Sequence, residues 1–147
     1  MADKEANYQL VRDYFEAVSN GELPDSLLTP DMTGWITTGG RVDKASYQHL
    51  VKLLAAMCDG PLRFTIKSLT ADEDRVVAEA ESKGKLINGQ DYANTYVFVF
   101  RIRDGRLASV AEHYNALITQ DKLTPLMEAA QRKITETSTE RPRGRGR

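Results

Sequence analysis

The sequence predicts an α+β domain in which helices cover one face of a curved, mostly antiparallel sheet. Residues 75–87, 92–103 and 106–117 are strand-like runs, separated by Asn88-Gly89 and Asp104-Gly105. Such dipeptides supply the positive φ of type I′ hairpin turns, so each marks a reversal between antiparallel neighbours. Tyr96-Val97-Phe98-Val99-Phe100 alternates aromatic and β-branched residues between two faces. Helical periodicity is concentrated ahead of this meander, which leaves helices to cover the apolar face.

Residues 4–19 form the first predicted helix: Leu10, Val11, Tyr14, Phe15 and Val18 recur at three- and four-residue spacing. Asn20-Gly21 stops it, because both residues tolerate the left-handed conformation. Residues 24–28 read as a short second helix, cut off at Thr29-Pro30 because the residue before proline disfavours αR. Residues 32–38 read as a strand carrying the single tryptophan, Trp35, and Gly39-Gly40 breaks it.

Asp43 is a good N-cap for a third helix through Met57, with Tyr47, Leu50, Val51, Leu54 and Met57 as its apolar stripe. Residues 62–69 alternate as a strand, residues 71–74 turn the chain, and the meander follows. Thr124-Pro125 fits N-cap and N1 of a last helix to about Ile134. From Thr135 the sequence TETSTERPRGRGR has no apolar residue and reads as a solvated, flexible tail. Residues 1–134 are thus expected as one domain and residues 135–147 as an Arg/Gly-rich extension.

A content of 41% hydrophobic residues is enough for a real core, and a net charge of −1 gives no global case for nucleic acid or an anionic membrane. An Arg/Gly-rich tail can hold single strands, but four terminal arginines are more often inert, and no nucleic-acid partner is expected. A single cysteine, Cys58, excludes an internal disulfide framework and fits a reducing, cytoplasmic setting. No apolar run approaches the roughly 20 residues of a spanning helix, and MADKEANY reads as neither secretion signal nor anchor.

The runs LTPDMTGWITTGG and VVAEAESKGKLINGQDYANTYVFVFRIRDGRLASVAEHYNAL, preceded by a helix ending in NGEL, resemble the SnoaL-like branch of the NTF2-like superfamily, which also contains ketosteroid isomerase. The resemblance covers roughly residues 5–120. It implies a cone-shaped fold with three N-terminal helices, a hydrophobic pocket for a small apolar organic ligand, no cofactor, and a homodimer formed through the outer sheet face. Tyr14 matches the helix tyrosine that donates to the oxyanion in ketosteroid isomerase. That enzyme's two aspartates fall on Ile36 and near Phe98, neither of which can carry a proton, so steroid isomerisation by its mechanism is not expected. Glu112 resembles the strand glutamate that serves as acid or base in phenazine-biosynthesis members, whereas Asn115 stands where many relatives have an acid.

Glu112 shares strand parity with Ala108, Val110 and Tyr114, apolar company that suggests an inward carboxyl with a raised pKa. His113 has the opposite parity. Glu79, Glu81 and Lys83 share one face of their strand and Ala78, Ala80 and Ser82 the other; the alternation leaves the inward face open, and the family alignment puts Glu81 in the hollow. If Glu81 and Glu112 converge, they would hold one proton between them. His49 reads as a surface helix residue. Two histidines and one cysteine form no recognisable metal site, and there is neither a nucleophile elbow nor a phosphate loop.

Two functions therefore stand open. The first is acid–base chemistry of the isomerase, cyclase or dehydratase kind on an apolar carbonyl or polycyclic substrate. Glu112, Tyr14 and Glu81 would be its catalytic groups; Trp35, Tyr47, Tyr96, Phe98, Val110 and Tyr114 would hold the ligand. The second is a binding or interaction module that keeps the pocket without the chemistry.

Overall fold

The structure, a computed structural model, describes residues 3–145, with side chains through Thr137. Helix α1 spans Lys4–Ser19, capped by Asp3 and presenting Leu10, Val11, Tyr14, Phe15 and Val18 to the interior. A 3₁₀ turn at Asp25–Leu27 replaces the expected short second helix. Strand β1 then runs Leu28–Ile36, four residues earlier than expected, and turns into a short partner, β2, at Gly40–Asp43. Asp43 accepts a hydrogen bond from the Ser46 amide at 2.9 Å and starts α2, Lys44–Met57.

Strands β3 (Arg63–Asp72), β4 (Arg75–Lys85), β5 (Asp91–Arg103) and β6 (Arg106–Tyr114) form the meander. The sheet order is β2-β1-β6-β5-β4-β3, and only the β1–β6 pairing is parallel. The strand expected to continue to Leu117 stops at Tyr114. Asn115 accepts from the Leu117 amide and caps a further helix, α3, at Ala116–Lys122. A 3₁₀ turn at Thr124–Leu126 leads into α4, Met127–Arg145, which runs past the expected end near Ile134; Gly146 and Arg147 lie outside the described residues.

The two dipeptide turns behave differently. Asp104 (φ 53) and Gly105 (φ 74) both adopt the left-handed conformation that a type I′ turn requires. At Asn88-Gly89 only Gly89 (φ 88) does so, because residues 86–90 form a longer connection. There the chain is tied to the end of α2 by Ile87 N–H to Met57 O (2.9 Å) and Asp59 N–H to Lys85 O (2.7 Å). Asn88 accepts from the Gln90 amide at 3.1 Å instead of entering a hairpin turn.

A register shift between Arg101 and Ile102, opposite Leu107 and Ser109, alters the parity of β6. Leu107 and Val110, three residues apart, are both fully buried, so Ala108 drops out of the inward series to which its spacing assigned it. The main core joins α1 to the inner sheet face through Tyr14, Phe15, Phe98 and Phe100. A second apolar cluster, including Leu53, Met57, Leu86, Leu123 and Ala130, joins α2 to α4.

Candidate functional site

Glu112 lies on the inner face of β6, opposite Phe98 of β5 and beside Ile36 of β1. Its carboxyl is thus flanked on both neighbouring strands by apolar side chains, which replace water around it. This desolvation raises its pKa from 4.5 to about 7, against the partly compensating hydrogen bond from Tyr47. Tyr47, fully buried on α2, donates to Glu112 Oε2. Its own hydroxyl oxygen lies 2.5 Å from that of Tyr14 on α1. With Glu112 ionised, Tyr14 donates to Tyr47 and Tyr47 to the carboxylate, an aligned chain in which each bond polarises the next. Burial, then the charge of Glu112, holds both phenols well above 10.0, so they stay protonated as donors.

Among the described residues Oε1 of Glu112 has no partner, and no buried side-chain polar atom is unpaired; Oε1 therefore keeps accessible surface. The surface it faces is a cavity of about 370 Å³, within the ~300–1,000 Å³ range of small-molecule sites. Aromatic rings form one wall: Tyr96 stacks on Phe98 at 5.2 Å and 29°, and Phe64 tilts against Tyr96 at 5.4 Å. Leu50, Leu54 and Met57 of α2 form another. Tyr96 is held by Ser82, 2.8 Å between hydroxyls. Tyr114 accepts from the Thr38 amide at 3.3 Å and lies 2.6 Å from the Thr38 hydroxyl. The mouth is edged by Thr119, Gln120, Leu123, Thr124 and Met127.

Six of the nine sequence-derived site residues meet here: Glu112, Tyr14, Tyr47, Tyr96, Phe98 and Tyr114. Tyr14 stands behind Tyr47, so its hydroxyl reaches the carboxyl only through that residue. Val110 faces inward but is packed into the core, paired in register with Gly34, and does not line the cavity.

Glu81 and Trp35 do not lie in the cavity, contrary to the sequence expectation. Ala78, Ala80 and Ser82 take the inward positions of β4, which turns Glu81 outward, where it lies 4.0 Å from Lys67 Nζ. The family alignment had reversed that face, and Glu81 does not converge with Glu112. Met32 and Gly34 are the buried residues of the inner face of β1, so Trp35 turns outward and packs on His113, ring centroids 4.7 Å apart. His49 also lies outside the cavity, bonded to Gln131 of α4 at 2.9 Å.

The mouth lies outside the sequence expectations, which continue the last strand to Leu117 and assign no element to residues 118–123, where most of α3 stands. Asn115, an Asx residue directly after a strand run, is the signal that could have found it. Among the described residues no His, Cys, Asp and Glu cluster could hold a metal, and no helix is long and apolar enough to cross a membrane.

A cone of helices on a curved sheet, with a buried carboxyl lining its hollow, is the architecture of the NTF2-like class. The chain belongs to the SnoaL-like domain family, which residues 11–110 match. It is similar in fold to PrhC from Penicillium brasilianum (16% identity, 87% of this chain and 91% of that one, TM-score 0.73). It is likewise similar to an NTF2-like protein from Anabaena variabilis (20%, 78% and 94%, TM-score 0.68). A third similar structure is TerC co-crystallised with polyporic acid (14%, 80% and 97%, TM-score 0.67). No curated protein matches the chain.

Proposed function

We propose that this protein is an acid–base enzyme of the isomerase, cyclase or dehydratase kind, acting on an apolar carbonyl-bearing or polycyclic ligand. Glu112 carries the reading: one carboxyl with a pKa of about 7, Oε2 held and Oε1 open, in the lining of a mostly apolar cavity. At neutral pH such a group is divided between its two forms and can both take and return a proton. Oε1 removes a proton from the carbon beside a carbonyl, and the neutral acid then delivers it to another atom of the same molecule. Tyr47 and Tyr14 hold the carboxylate in place. Tyr114, two residues from Glu112 and polarised by the Thr38 amide, is the hydroxyl placed to donate to the developing oxyanion. These groups can carry an enolisation without a cofactor. The small organic ligand of TerC and the family's shared fold support a ligand of this size and kind.

The test is solvent deuterium incorporation. Aryl ketones and β-dicarbonyl polycycles are incubated with the protein in D2O and followed by mass spectrometry, with binding measured separately. Incorporation that Glu112→Gln abolishes while binding persists supports the enzyme. Binding without incorporation supports the alternative, a non-catalytic ligand-binding module, which is favoured by Ile36 and Phe98 flanking Glu112 where an acid is expected from relatives.

The partner reading is a homodimer through the outer sheet face, where Trp35 and Val97 are 37% and 39% exposed. The buried free thiol of Cys58 fits a reducing, cytoplasmic setting.

A further inference from the structure

Gly34 sits inside β1, two residues from its end, where glycine weakens a strand and where its φ is not left-handed, so turn geometry does not account for it. Its surroundings do. A Cβ at Gly34 would lie 2.3 Å from Tyr47 Cδ1, 2.8 Å from Cγ and 3.0 Å from Cε1. The Tyr47 ring therefore lies directly on the strand backbone, in space that any side chain would take. Tyr47 is buried and held at its far end by Tyr14 and Glu112, so a ring that swings away from β1 into the cavity breaks those bonds. A ring pushed at Cδ1 pivots about its Cβ, and the hydroxyl, farther from that pivot, is displaced more than the point of contact.

We infer that Gly34 is a positioning residue for the site: its bare Cα lets the Tyr47 ring lie against β1 so that the phenol reaches Glu112. The same strand carries Ile36 beside Glu112, so β1 sets both the donor to the carboxyl and its apolar neighbour. The inference rests on the reading of Glu112 as the working group, but its test needs no substrate. The groups that feel the charge of Glu112 are Tyr14 of α1, Tyr47 of α2, Tyr96 of β5 and Tyr114 of β6. All four phenols are held above 10.0, so none of them titrates together with Glu112.

The Glu112 side-chain carboxyl is followed by carbon NMR against pH in the wild type, Gly34→Ala, Tyr47→Phe and the double variant, with Glu112→Gln identifying the resonance. Tyr47 stabilises the carboxylate, so losing its bond moves the midpoint upward. Gly34→Ala is expected to raise it by about one pH unit, as Tyr47→Phe does, and the double variant no further. A folded Gly34→Ala protein with an unmoved midpoint overturns the inference. If Gly34→Ala does not fold, it is placed in a Tyr47→Ala background, where the ring is gone. A melting temperature equal to that of Tyr47→Ala alone supports the inference, and a further drop shows that glycine serves the strand itself and overturns it. Because the titration involves no ligand, the positioning role and the proposed catalysis fail separately.

Discussion

Tyr47 and Glu112, 65 positions apart, are joined by a hydrogen bond that ties the second long helix to the last strand of the sheet. The bond fixes one carboxyl oxygen and leaves the other facing the cavity, while Ile36 and Phe98 keep water from the flanks. The carboxyl is thereby both desolvated and partly stabilised, and desolvation is the larger influence.

A consequence for stability follows from the sign of that shift. A carboxyl raised from 4.5 to about 7 binds more protons folded than unfolded between those values. Its contribution is therefore complete below pH 4.5 and lost as pH rises to about 7, where the ionised form costs about 3 kcal/mol. Urea unfolding of the wild type and Glu112→Gln from pH 4.5 to 8 should show the variant gaining that amount relative to the wild type. Parallel curves would mean that Glu112 is not desolvated.

Tyr14→Phe should act in the same direction as Tyr47→Phe on the Glu112 midpoint but more weakly, since Tyr14 reaches the carboxyl through Tyr47. Loss of a polarising neighbour weakens the remaining bond by roughly 10–30%. Titration of both variants checks the order of the chain. An effect of Tyr14→Phe equal to or larger than that of Tyr47→Phe would contradict it.

Asn94 should prove to be the fastening of the cavity mouth. Its buried amide donates to the Tyr92 hydroxyl (3.0 Å), Asn115 O and Thr119 Oγ1 (both 3.3 Å), and its carbonyl accepts from the Thr95 and Asn115 amides. Asn94→Ala removes these five bonds and leaves only Thr119 bonded to Asn115 O, at a cost of about 1–3 kcal/mol. Hydrogen exchange should quicken across α3 and leave α1 unchanged; equal quickening in both would indicate global destabilisation instead.

Trp35→Arg should convert a homodimer to monomer in native mass spectrometry while leaving the cavity intact, because Trp35 packs on His113 away from the interior. A wild-type monomer would remove the proposed interface.

The parts of this structure that local chemistry dictates were legible in the sequence. The bounds of α1, the Asp43 cap and the Asp104-Gly105 turn follow from periodicity, an Asx side chain and positive φ, all short-range. The inward carboxyl of Glu112 was readable from the parity of β6, although the bulge near Ala108 was not. Glu81 and Trp35 were misplaced because a period of two says which residues share a face but not which face is buried. Strand β2 has two half-buried and two exposed residues with a single apolar one, Val42, and it forms because β1 offers an edge. The Tyr14–Tyr47–Glu112 chain joins three elements, so no spacing in the sequence announces it.

The most direct test of the central claim is the midpoint of Glu112 itself, read by carbon NMR in the unliganded wild type. A midpoint at about 7 would establish a carboxyl poised to give and take a proton at neutral pH. A midpoint at 4.5, the ordinary value, would show a solvated carboxylate and contradict the assignment of Glu112 as the acid–base group.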